Sequence, residues 1–383
     1  MPKIMMSVGE ASGDLHGASV AKEIKLLCGE AQIFGMGGDR MREAGVKIVY
    51  DIKDLGVIGI VEVVKNLPKF FKLRDKLAQL MDEERPDALI VIDYPGFNTR
   101  LAKVAKKKGI PIVSYISPSA WAWGRGRAKE VAETVDKVAA IFPFEAKIYE
   151  EAGAKVAFVG HPLLDIVKPS MEKAECYRYF GADPEKTLAL LMPGSRAQEI
   201  ETLLEPMLAA GLKIREQIPD CQFYLPLAST IERETVESKI ERFNAPVRIT
   251  TDKVYDLMNI SQVAIAASGT AVLEISLMRV PSVIIYKVAA LTYCIGKLLV
   301  KIPHIGLPNI IAGRKILPEI LQSQISGEII AQETLLLLQD SQRREQALKD
   351  LDEVRLKLGE SGAVKKVARI VLEVAGQKKK TLT

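Results

Sequence analysis

Short apolar runs alternate with longer amphipathic stretches along almost the whole chain, and this alternation limits the possible folds more than any other feature. The first series comprises KIMMSV, DALIVID, IPIVSYI, KVAAIFP and KVAFVG. The second, which begins near residue 187, comprises LALLMPG, QFYLPLA, VRITT, VAIAAS and SVIIYK. Helix-compatible sequence lies between the runs, for example at 101–109, 199–217 and 232–243. Alternating strands and helices indicate parallel sheets, so we predict an α/β protein with two doubly wound, Rossmann-like domains.

The length of 383 residues also suits two domains of ordinary size. The segment 161–175 carries prolines and charges between two strand runs, which is typical of a linker. We therefore predict an N-terminal domain over 1–165 and a C-terminal domain over 166–345.

Composition excludes several classes of protein. The four cysteines lie far apart without a CxxC pair, which indicates a reducing compartment and argues against a zinc site. No apolar run reaches the roughly 18 residues of a spanning helix, and MPKIMM does not resemble a signal peptide. The net charge of +5 suits an anionic partner without requiring nucleic acid, and we expect none.

Ligands of doubly wound sheets bind beyond the carboxyl ends of the strands, so the loops directly after strands are the candidate sites. Five such loops contain chemistry-bearing residues: GEASGD (9–14), DYPGFN (93–98), SPSAWAW (117–123), PGSRAQE (193–199) and ASGTAVLE (267–274). If two such domains face each other across a cleft, these loops meet there.

Two of these loops belong to the second domain. Ser268, Gly269 and Thr270 form a small-residue turn at a helix start, whose N–H groups suit a diphosphate. Glu274, one helical turn further, could accept both hydroxyls of a ribose. The alternative is a capping turn with a buried or ion-paired glutamate.

The PGSRAQE loop has a similar pattern. Gly194 and Ser195 permit a close backbone approach, and Arg196 supplies a planar fork for phosphate oxygens. The alternative is an N-capped helix with an exposed arginine. Two such loops in one domain favour a nucleotide diphosphate.

The GEASGD loop is neither GxGxxG nor a Walker sequence, and the carboxylates of Glu10 and Asp14 would repel a diphosphate. We interpret it as a cleft-lining turn, in which Gly13 provides conformational freedom and Ser12 a hydroxyl. The alternative is that Asp14 is only a helix-start carboxylate.

Asp93 lies at the tip of a hydrophobic strand beside Tyr94 and Phe97, where burial would raise its pKa and favour a role as general base. The alternative is a turn-forming aspartate before Pro95. Glu10 and Glu145 also follow strands and are further candidates.

The SPSAWAWGRGR segment holds both tryptophans, Trp121 and Trp123, followed by Arg125 and Arg127. Aromatic rings beside arginines suit a sugar with a phosphate, or a lip that faces a membrane. The alternative is a pair of core tryptophans before an exposed basic helix.

Residues 56–77 combine dense apolar side chains with closely spaced lysines and an arginine. This pattern suits an interfacial membrane segment. The alternative is a core-packed helix with its lysines outside. No HxxxH or HxH spacing is present, and the only DxD, at 350–352, lies in a long polar helical pattern, so we expect no metal and no cofactor.

Considered together, the motifs point to one family. Nine motifs occur in a fixed order across residues 9–314: GEASGD, GVIGIVEV, DYPGFN, SPSAWAW, FPFE, GHPLLD, PGSR, ASGTAVLE and LPNIIAGR. The chain closely resembles the lipid-A-disaccharide synthase family, glycosyltransferases of the GT-B fold, over nearly its whole length. The resemblance implies an inverting, metal-independent transfer in lipid A (lipopolysaccharide) biosynthesis. UDP-2,3-diacylglucosamine would react with 2,3-diacylglucosamine 1-phosphate to give the β-1,6-linked disaccharide 1-phosphate and UDP.

The resemblance also implies roles for residues. Asp93 is the first choice for the base, with Glu10 and Glu145 in reserve. Substrate contacts would come from Ser12, Gly13, Trp121, Arg196, Ser268, Gly269, Thr270, Glu274 and Asn309. Asn309, in LPNIIAGR, would be a polar residue near the donor.

The implied architecture and location are equally specific. The GT-B fold implies that the segment 346–383 forms a helix that returns to the first domain. Acylated substrates imply a cytoplasmic protein on the inner face of the inner membrane, bound through residues 56–77. A UDP-sugar 2-epimerase of the same fold would not need that surface, and a non-catalytic sugar-nucleotide- or lipid-binding protein would tolerate the loss of Asp93.

Overall fold

The computed structural model describes residues 1–55, 67–118, 125–288 and 303–381, and the chain divides into two compact units. The N-terminal unit comprises Met1–Pro162 with Leu358–Thr383, and the C-terminal unit comprises Leu163–Lys357.

The N-terminal unit contains a seven-stranded parallel sheet in the order β3-β2-β1-β4-β5-β6-β7. Its strands are β1 (Lys3–Ser7), β2 (Gln32–Gly37), β3 (Lys47–Asp51), β4 (Ala88–Ile92), β5 (Ile112–Tyr115), β6 (Lys137–Ala140) and β7 (Val156–Phe158). Its helices are α1 (Ala11–Leu27), α2 (Asp39–Glu43), α3 (Leu67–Glu84), α4 (Pro95–Lys107), α5 (Arg125–Thr134) and α6 (Pro143–Glu151), with a 3₁₀ turn at Ile52–Leu55.

The C-terminal unit contains a six-stranded parallel sheet in the order β10-β9-β8-β11-β12-β13. Its strands are β8 (Leu188–Met192), β9 (Gln222–Pro226), β10 (Val247–Thr250), β11 (Val263–Ala267), β12 (Ser282–Tyr286) and β13 (Glu319–Leu321). Its helices are α7 (Leu163–Ile166), α8 (Lys173–Phe180), α9 (Ala197–Gln217), α10 (Arg233–Arg242), α11 (Val254–Asn259), α12 (Thr270–Leu277), α13 (Leu307–Ala312), α14 (Gly327–Gln339) and α15 (Ser341–Lys357), with a 3₁₀ turn at Gln322–Gln324.

Both sheets are buried on their two faces, which explains why their strands are continuous apolar runs. Every residue of β4 and β11 is buried. In the C-terminal unit, one core cluster packs α9 and α14 against one face of the sheet, and a second packs α8, α11 and α12 against the other. The predicted fold class, two parallel-sheet Rossmann-like domains, is confirmed.

The strand order reverses in each unit between two neighbouring central strands, β1 and β4 in one sheet and β8 and β11 in the other. At such a switch point the following helices cross to opposite faces and leave a crevice for ligands. The GEASGD and DYPGFN loops follow β1 and β4, and the PGSRAQE and ASGTAVLE loops follow β8 and β11. Each unit therefore presents two of the predicted loops at its switch point.

The last helix, α16 (Ala363–Thr381), packs against α1 in the N-terminal unit. Gly359 and Gly362 adopt left-handed φ values of 86° and 90° and separate α16 from α15. The backbone N–H of His161 donates to the carbonyl of Leu358 at 3.0 Å. The amphipathic run at 343–375 thus forms two helices, of which α15 stays with the C-terminal unit.

The apolar runs did not predict β2, β3 or β13. In β2, Gly35 has a φ of +145°, and a Cβ there would lie 2.0 Å from the carbonyl oxygen of Met6. Close strand contact therefore requires glycine, which removes the side chain that periodic patterns depend on. In the parts of the chain that the structure describes, no helix has both the length and the apolar content to cross a bilayer.

Candidate functional site

The end of β4 holds Asp93 in an unusual backbone conformation. Asp93 and Tyr94 have left-handed φ values of 52° and 51°, which are uncommon outside glycine and often mark functional sites. The side-chain amide of Asn98 donates to the carbonyl oxygens of Asp93 at 2.8 Å and Ser7 at 3.1 Å. The Ser7 hydroxyl donates back to Asn98 Oδ1 at 2.6 Å. Asn98 thus ties the ends of β1 and β4 together and fixes the position of Asp93.

The electrostatic setting of Asp93 suits proton transfer. Burial raises the pKa of its carboxyl group above the ordinary value, although the backbone N–H of Tyr94 opposes this shift. Glu10, the exposed N-cap of α1, is close enough to Tyr94 for its charge to raise the pKa of the Tyr94 hydroxyl, after burial. A half-buried carboxylate and a second, exposed one therefore flank the same switch point.

The remaining GEASGD residues have mixed settings. Ser12 is exposed in the first turn of α1, whereas Gly13 is buried, and a Cβ there would lie 3.2 Å from Cβ of Val8. The carboxylate of Asp14 accepts backbone N–H bonds from Gly38 (2.7 Å), Arg40 (3.0 Å) and Met41 (3.2 Å). Asp14 therefore caps the start of α2, and both of its carboxylate oxygens accept backbone N–H groups.

Gly9 leaves room for Tyr94. A Cβ at Gly9 would lie 2.1 Å from Cδ1 of the Tyr94 ring. We expect Gly9→Ala to lower the free energy of unfolding by about 1–3 kcal/mol, as overpacking does, and to reduce activity by displacing the neighbour of Asp93. Urea unfolding followed by tryptophan fluorescence reports on the N-terminal unit, because both tryptophans belong to residues 1–162.

The matched control is Gly29→Ala, where an added Cβ has no described neighbour closer than 4.0 Å. Equal unfolding midpoints for the two alanine variants would contradict the packing argument.

Glu145 occupies a different place from the other two predicted carboxylates. It lies in the first turn of α6, after β6, which is two strands away from β4, or roughly 10 Å. It is 3% exposed, and Oε2 accepts the backbone N–H of Ile141 at 3.1 Å and also bonds that of Phe142. Burial raises the pKa of Glu145 to about 7. Its carboxylate acts as a buried helix cap rather than part of the switch point.

This raised pKa predicts a pH-dependent stability. The contribution of protonated Glu145 to the free energy of unfolding is fully present below the unfolded-state pKa of 4.5. It is lost as the pH rises through the folded-state pKa of about 7. Glu145→Gln stays neutral, so its free energy of unfolding relative to wild type should increase by up to about 3 kcal/mol between pH 5 and pH 8. Urea midpoints of both proteins at the two pH values test this, and a difference that does not change with pH would refute it.

The C-terminal unit has a cavity of about 480 Å³ at its switch point. Gly269, Thr270 and Glu274 line one side of it, and α12 begins at Thr270, so its first N–H groups lack intrahelical partners. The Tyr255 hydroxyl donates to Glu274 Oε1 at 3.2 Å, while burial raises the pKa of Glu274. The start of α12 thus lies one turn from an oriented carboxylate, an arrangement that suits an anion at the helix start.

Ser268 is engaged within the fold. Its N–H donates to the Ile285 carbonyl at 3.0 Å and its hydroxyl to the Ile305 carbonyl at 3.1 Å. The N–H groups available to a ligand are therefore those from Gly269 onward. Gly269 is extended, and a Cβ there would meet no described atom within 4 Å.

Arg196 lines the opposite side of the same cavity, with its side chain 79% exposed. Glu199 Oε2 accepts the backbone N–H groups of Ser195 (2.9 Å) and Arg196 (3.1 Å), and Glu199 Oε1 lies 3.1 Å from Arg196 Nη1. The backbone donors that the sequence assigned to phosphate are thus occupied by Glu199. The guanidinium group is what this loop can offer to an anion.

The setting of Asn309 differs from the one predicted. Asn309 is fully buried, its amide donates to Leu317 O and Glu319 Oε1, and its oxygen accepts from Ile316 and Leu317 N–H. These bonds use the whole capacity of the side chain, and Asn309 thereby holds its own loop in shape. Trp121 lies outside the described residues.

Sequence reasoning missed Lys253 and Tyr255, which follow β10. Lys253 lines the 480 Å³ cavity, with Nζ 3.1 Å from the Ser170 hydroxyl. The available signal was the polar sequence TDKVYD directly after the strand run VRITT. Within the described ranges, no three His, Cys, Asp or Glu side chains are grouped closely enough to hold a metal ion.

Comparisons with known proteins agree with this geometry. A family model described as lipid-A-disaccharide synthetase matches residues 4–374. The lipid-A-disaccharide synthase of Geobacter metallireducens is 44% identical over 377 residues, 98% of each chain. Among solved structures, UDP-GlcNAc 2-epimerase from Neisseria meningitidis bound to UDP-GlcNAc has a TM-score of 0.66 at 13% identity and covers 97% of this chain and 100% of its own. MurG from Acinetobacter baumannii has a TM-score of 0.60 at 14% identity and covers 97% and 99%. At such identities the structural likeness shows the shared fold.

Proposed function

Because the chain belongs to the lipid-A-disaccharide synthetase family of glycosyltransferases, we propose that it joins UDP-2,3-diacylglucosamine to 2,3-diacylglucosamine 1-phosphate. The products are the β-1,6-linked disaccharide 1-phosphate and UDP. The family acts in lipid A biosynthesis on a UDP-sugar and a sugar phosphate, and the resemblance found in the motifs is confirmed. What we propose beyond the family is that the substrates are acylated and that the residues named below have the stated roles.

One observation carries the assignment of the donor. The 480 Å³ cavity combines the start of α12, the guanidinium group of Arg196 and the carboxylate of Glu274. A pyrophosphate matches the first two, and the two hydroxyls of a ribose match the third. The donor is therefore assigned to the C-terminal unit.

Asp93 is assigned as the general base of the N-terminal unit. Its carboxylate takes the proton of the acceptor 6-hydroxyl as that oxygen bonds to the anomeric carbon of the donor sugar. The bond from this carbon to the phosphate oxygen breaks in the same step, and inversion follows from the in-line attack. Arg196 and the first N–H groups of α12 stabilise the charge of departing UDP.

Mass spectrometry of the reaction product tests the reaction. The protein is incubated with UDP-2,3-diacylglucosamine and 2,3-diacylglucosamine 1-phosphate, and a disaccharide 1-phosphate is expected together with UDP. Unacylated UDP-GlcNAc serves as the control donor. Absence of the disaccharide mass would overturn the proposed reaction, and proton NMR of the recovered donor would then show whether it has been epimerised, since an epimer has the same mass.

We also propose that the protein binds peripherally to the inner face of the inner membrane through residues 56–77. Of this segment, 67–77 form the start of α3, where Leu73 and Leu77 are buried while Lys69 and Phe71 are exposed, Phe71 by 43%. Residues 56–66 lie outside the described residues. An exposed aromatic ring among lysines suits the surface of an anionic bilayer.

Replacing Ile60, Val63 and Val64 together with serine should lower the partition coefficient of the protein onto anionic liposomes by at least about tenfold. The reason is that apolar burial drives interfacial binding. Cosedimentation with vesicles measures it. Leu356→Ser is the matched control, because Leu356 is 79% exposed but belongs to the C-terminal unit. Unchanged partitioning of the triple variant would remove these residues from the membrane contact.

A further inference from the structure

Two adjoining cavities of the N-terminal unit share Gly96 and Arg100 in their walls. The first, which we call the aromatic cavity, has a volume of about 210 Å³ and is otherwise lined by Phe70, Phe71, Arg74, Tyr94 and Phe97. The second, the polar cavity, has a volume of about 260 Å³, and its lining includes Thr99, Pro118, Arg127 and Glu130. Neither belongs to the nucleotide cavity of the C-terminal unit.

The aromatic cavity combines an apolar wall with a cationic rim. The ring centroids of Phe70 and Tyr94 each lie 6.2 Å from that of Phe97. The guanidinium carbons of Arg74 and Arg100 lie 5.2 and 5.7 Å from the centroid of the Phe71 ring. Such an arrangement takes an apolar chain against the rings and an anionic group at the edge.

The polar cavity supplies the anion site. Arg100 of α4 and Arg127 of α5 line it from two helices, and the start of α4 contributes Gly96. The carboxylate of Glu130 is already bound by Lys103 Nζ at 2.5 Å, so its charge is compensated. Among the residues that the structure describes, Arg100 forms no ion pair with an Asp or Glu. Two guanidinium groups facing one cavity suit a phosphate group.

We infer that these two cavities form the subsite of the acceptor, with its phosphate between Arg100 and Arg127 and one acyl chain along the aromatic cavity. This inference rests on the proposed function. Asp93 directly precedes Tyr94 and the start of α4, so a sugar held here lies beside the proposed base. Arg100 thereby becomes the residue that selects an acceptor with a phosphate.

Isothermal titration of acceptor binding tests the role of Arg100. We expect Arg100→Ala to raise the Kd of 2,3-diacylglucosamine 1-phosphate about 10- to 100-fold, as loss of a charged hydrogen bond does. The Kd of the same sugar without its phosphate should not change, nor should that of UDP. Lys107→Ala is the matched control, because it removes one positive charge from an exposed position at the far end of α4.

Gly96→Leu tests the aromatic cavity without disturbing the core, since an added Cβ would meet no described atom within 4 Å. In wild type each further methylene of the acyl chain should tighten acceptor binding by about fourfold until the cavity is full. In Gly96→Leu this dependence on chain length should flatten. Gly376→Leu, equally open but on α16, is the control.

The outcomes separate this inference from the proposed reaction. Selective acceptor binding without disaccharide formation would leave the subsite standing and overturn the reaction. If Arg100→Ala changes the Kd of both acceptors equally, or of neither, the subsite is wrong. The titrations use a short-chain, monomeric acceptor without vesicles; an effect of Arg100→Ala that arises only with phosphatidylglycerol vesicles would assign the arginines to lipid headgroups and overturn the subsite.

Discussion

Asp93→Asn is expected to lower kcat for disaccharide formation by about 10²- to 10⁴-fold while the Kd of the UDP donor stays within a few fold. The rate falls because asparagine cannot accept the proton of the attacking hydroxyl, and general base catalysis contributes about that much. Donor binding persists because the cavity proposed for the nucleotide lies in the C-terminal unit. Single-turnover kinetics and titration with UDP measure the two quantities separately.

Asparagine is the suitable replacement because it tolerates the left-handed φ of 52° at this position. The tie to Asn98 also persists, since it uses the backbone carbonyl of Asp93. Wild-type activity should rise with pH through the pKa of Asp93, and burial places this acid limb above the ordinary aspartate value of about 3.9. Full activity of the variant, or a larger loss in Glu10→Gln, would remove Asp93 as the base.

Glu274→Gln is expected to raise the Kd of UDP by about 10- to 100-fold. Hydrogen bonds to a charged group contribute about 1.5–3 kcal/mol, and the neutral amide keeps only one oxygen acceptor for the two ribose hydroxyls. The change is isosteric, and the Tyr255 hydroxyl can still donate to the remaining oxygen. Isothermal titration of UDP measures the loss.

Ligand analogues make this prediction specific. The loss should disappear for a UDP analogue without its ribose hydroxyls, because neither glutamate nor glutamine then has a ribose hydroxyl to bind. Arg196→Ala is the complementary control: it should weaken UDP binding but not uridine binding, since the guanidinium is assigned to the pyrophosphate. Equal losses of Glu274→Gln for UDP and its deoxygenated analogue would separate Glu274 from the ribose.

The fold class could be predicted because parallel strands buried on both faces produce continuous apolar runs such as ALIVI in β4 and VAIAA in β11. The position of the site followed from the same runs, since the loops after β1, β4, β8 and β11 are the ones at the switch points. Strand β2 was missed because glycine occupies two positions of its sequence QIFGMG, where no side chain marks the period.

The roles of individual polar residues were harder to predict, because their partners lie far away along the chain. Ser7 and Asn98, bonded to each other, are 91 residues apart, and Asp14 accepts the backbone N–H of Gly38, 24 residues away, at the start of α2. Glu145 resembled a base by position, yet its lone pairs point to backbone N–H groups. Asn309 resembled a ligand contact, yet backbone groups and Glu319 use its amide completely.

Local periodicity and short motifs were enough to predict two parallel-sheet domains, the loops at the carboxyl ends of their central strands and the family. The tertiary structure alone decided which polar groups in those loops remain available to a ligand. Glu199 takes the backbone donors beside Arg196, while Glu274 and the start of α12 line an open cavity. The physical reason is that a buried polar group bonds whatever the fold places beside it, and only the groups left over can bind a substrate.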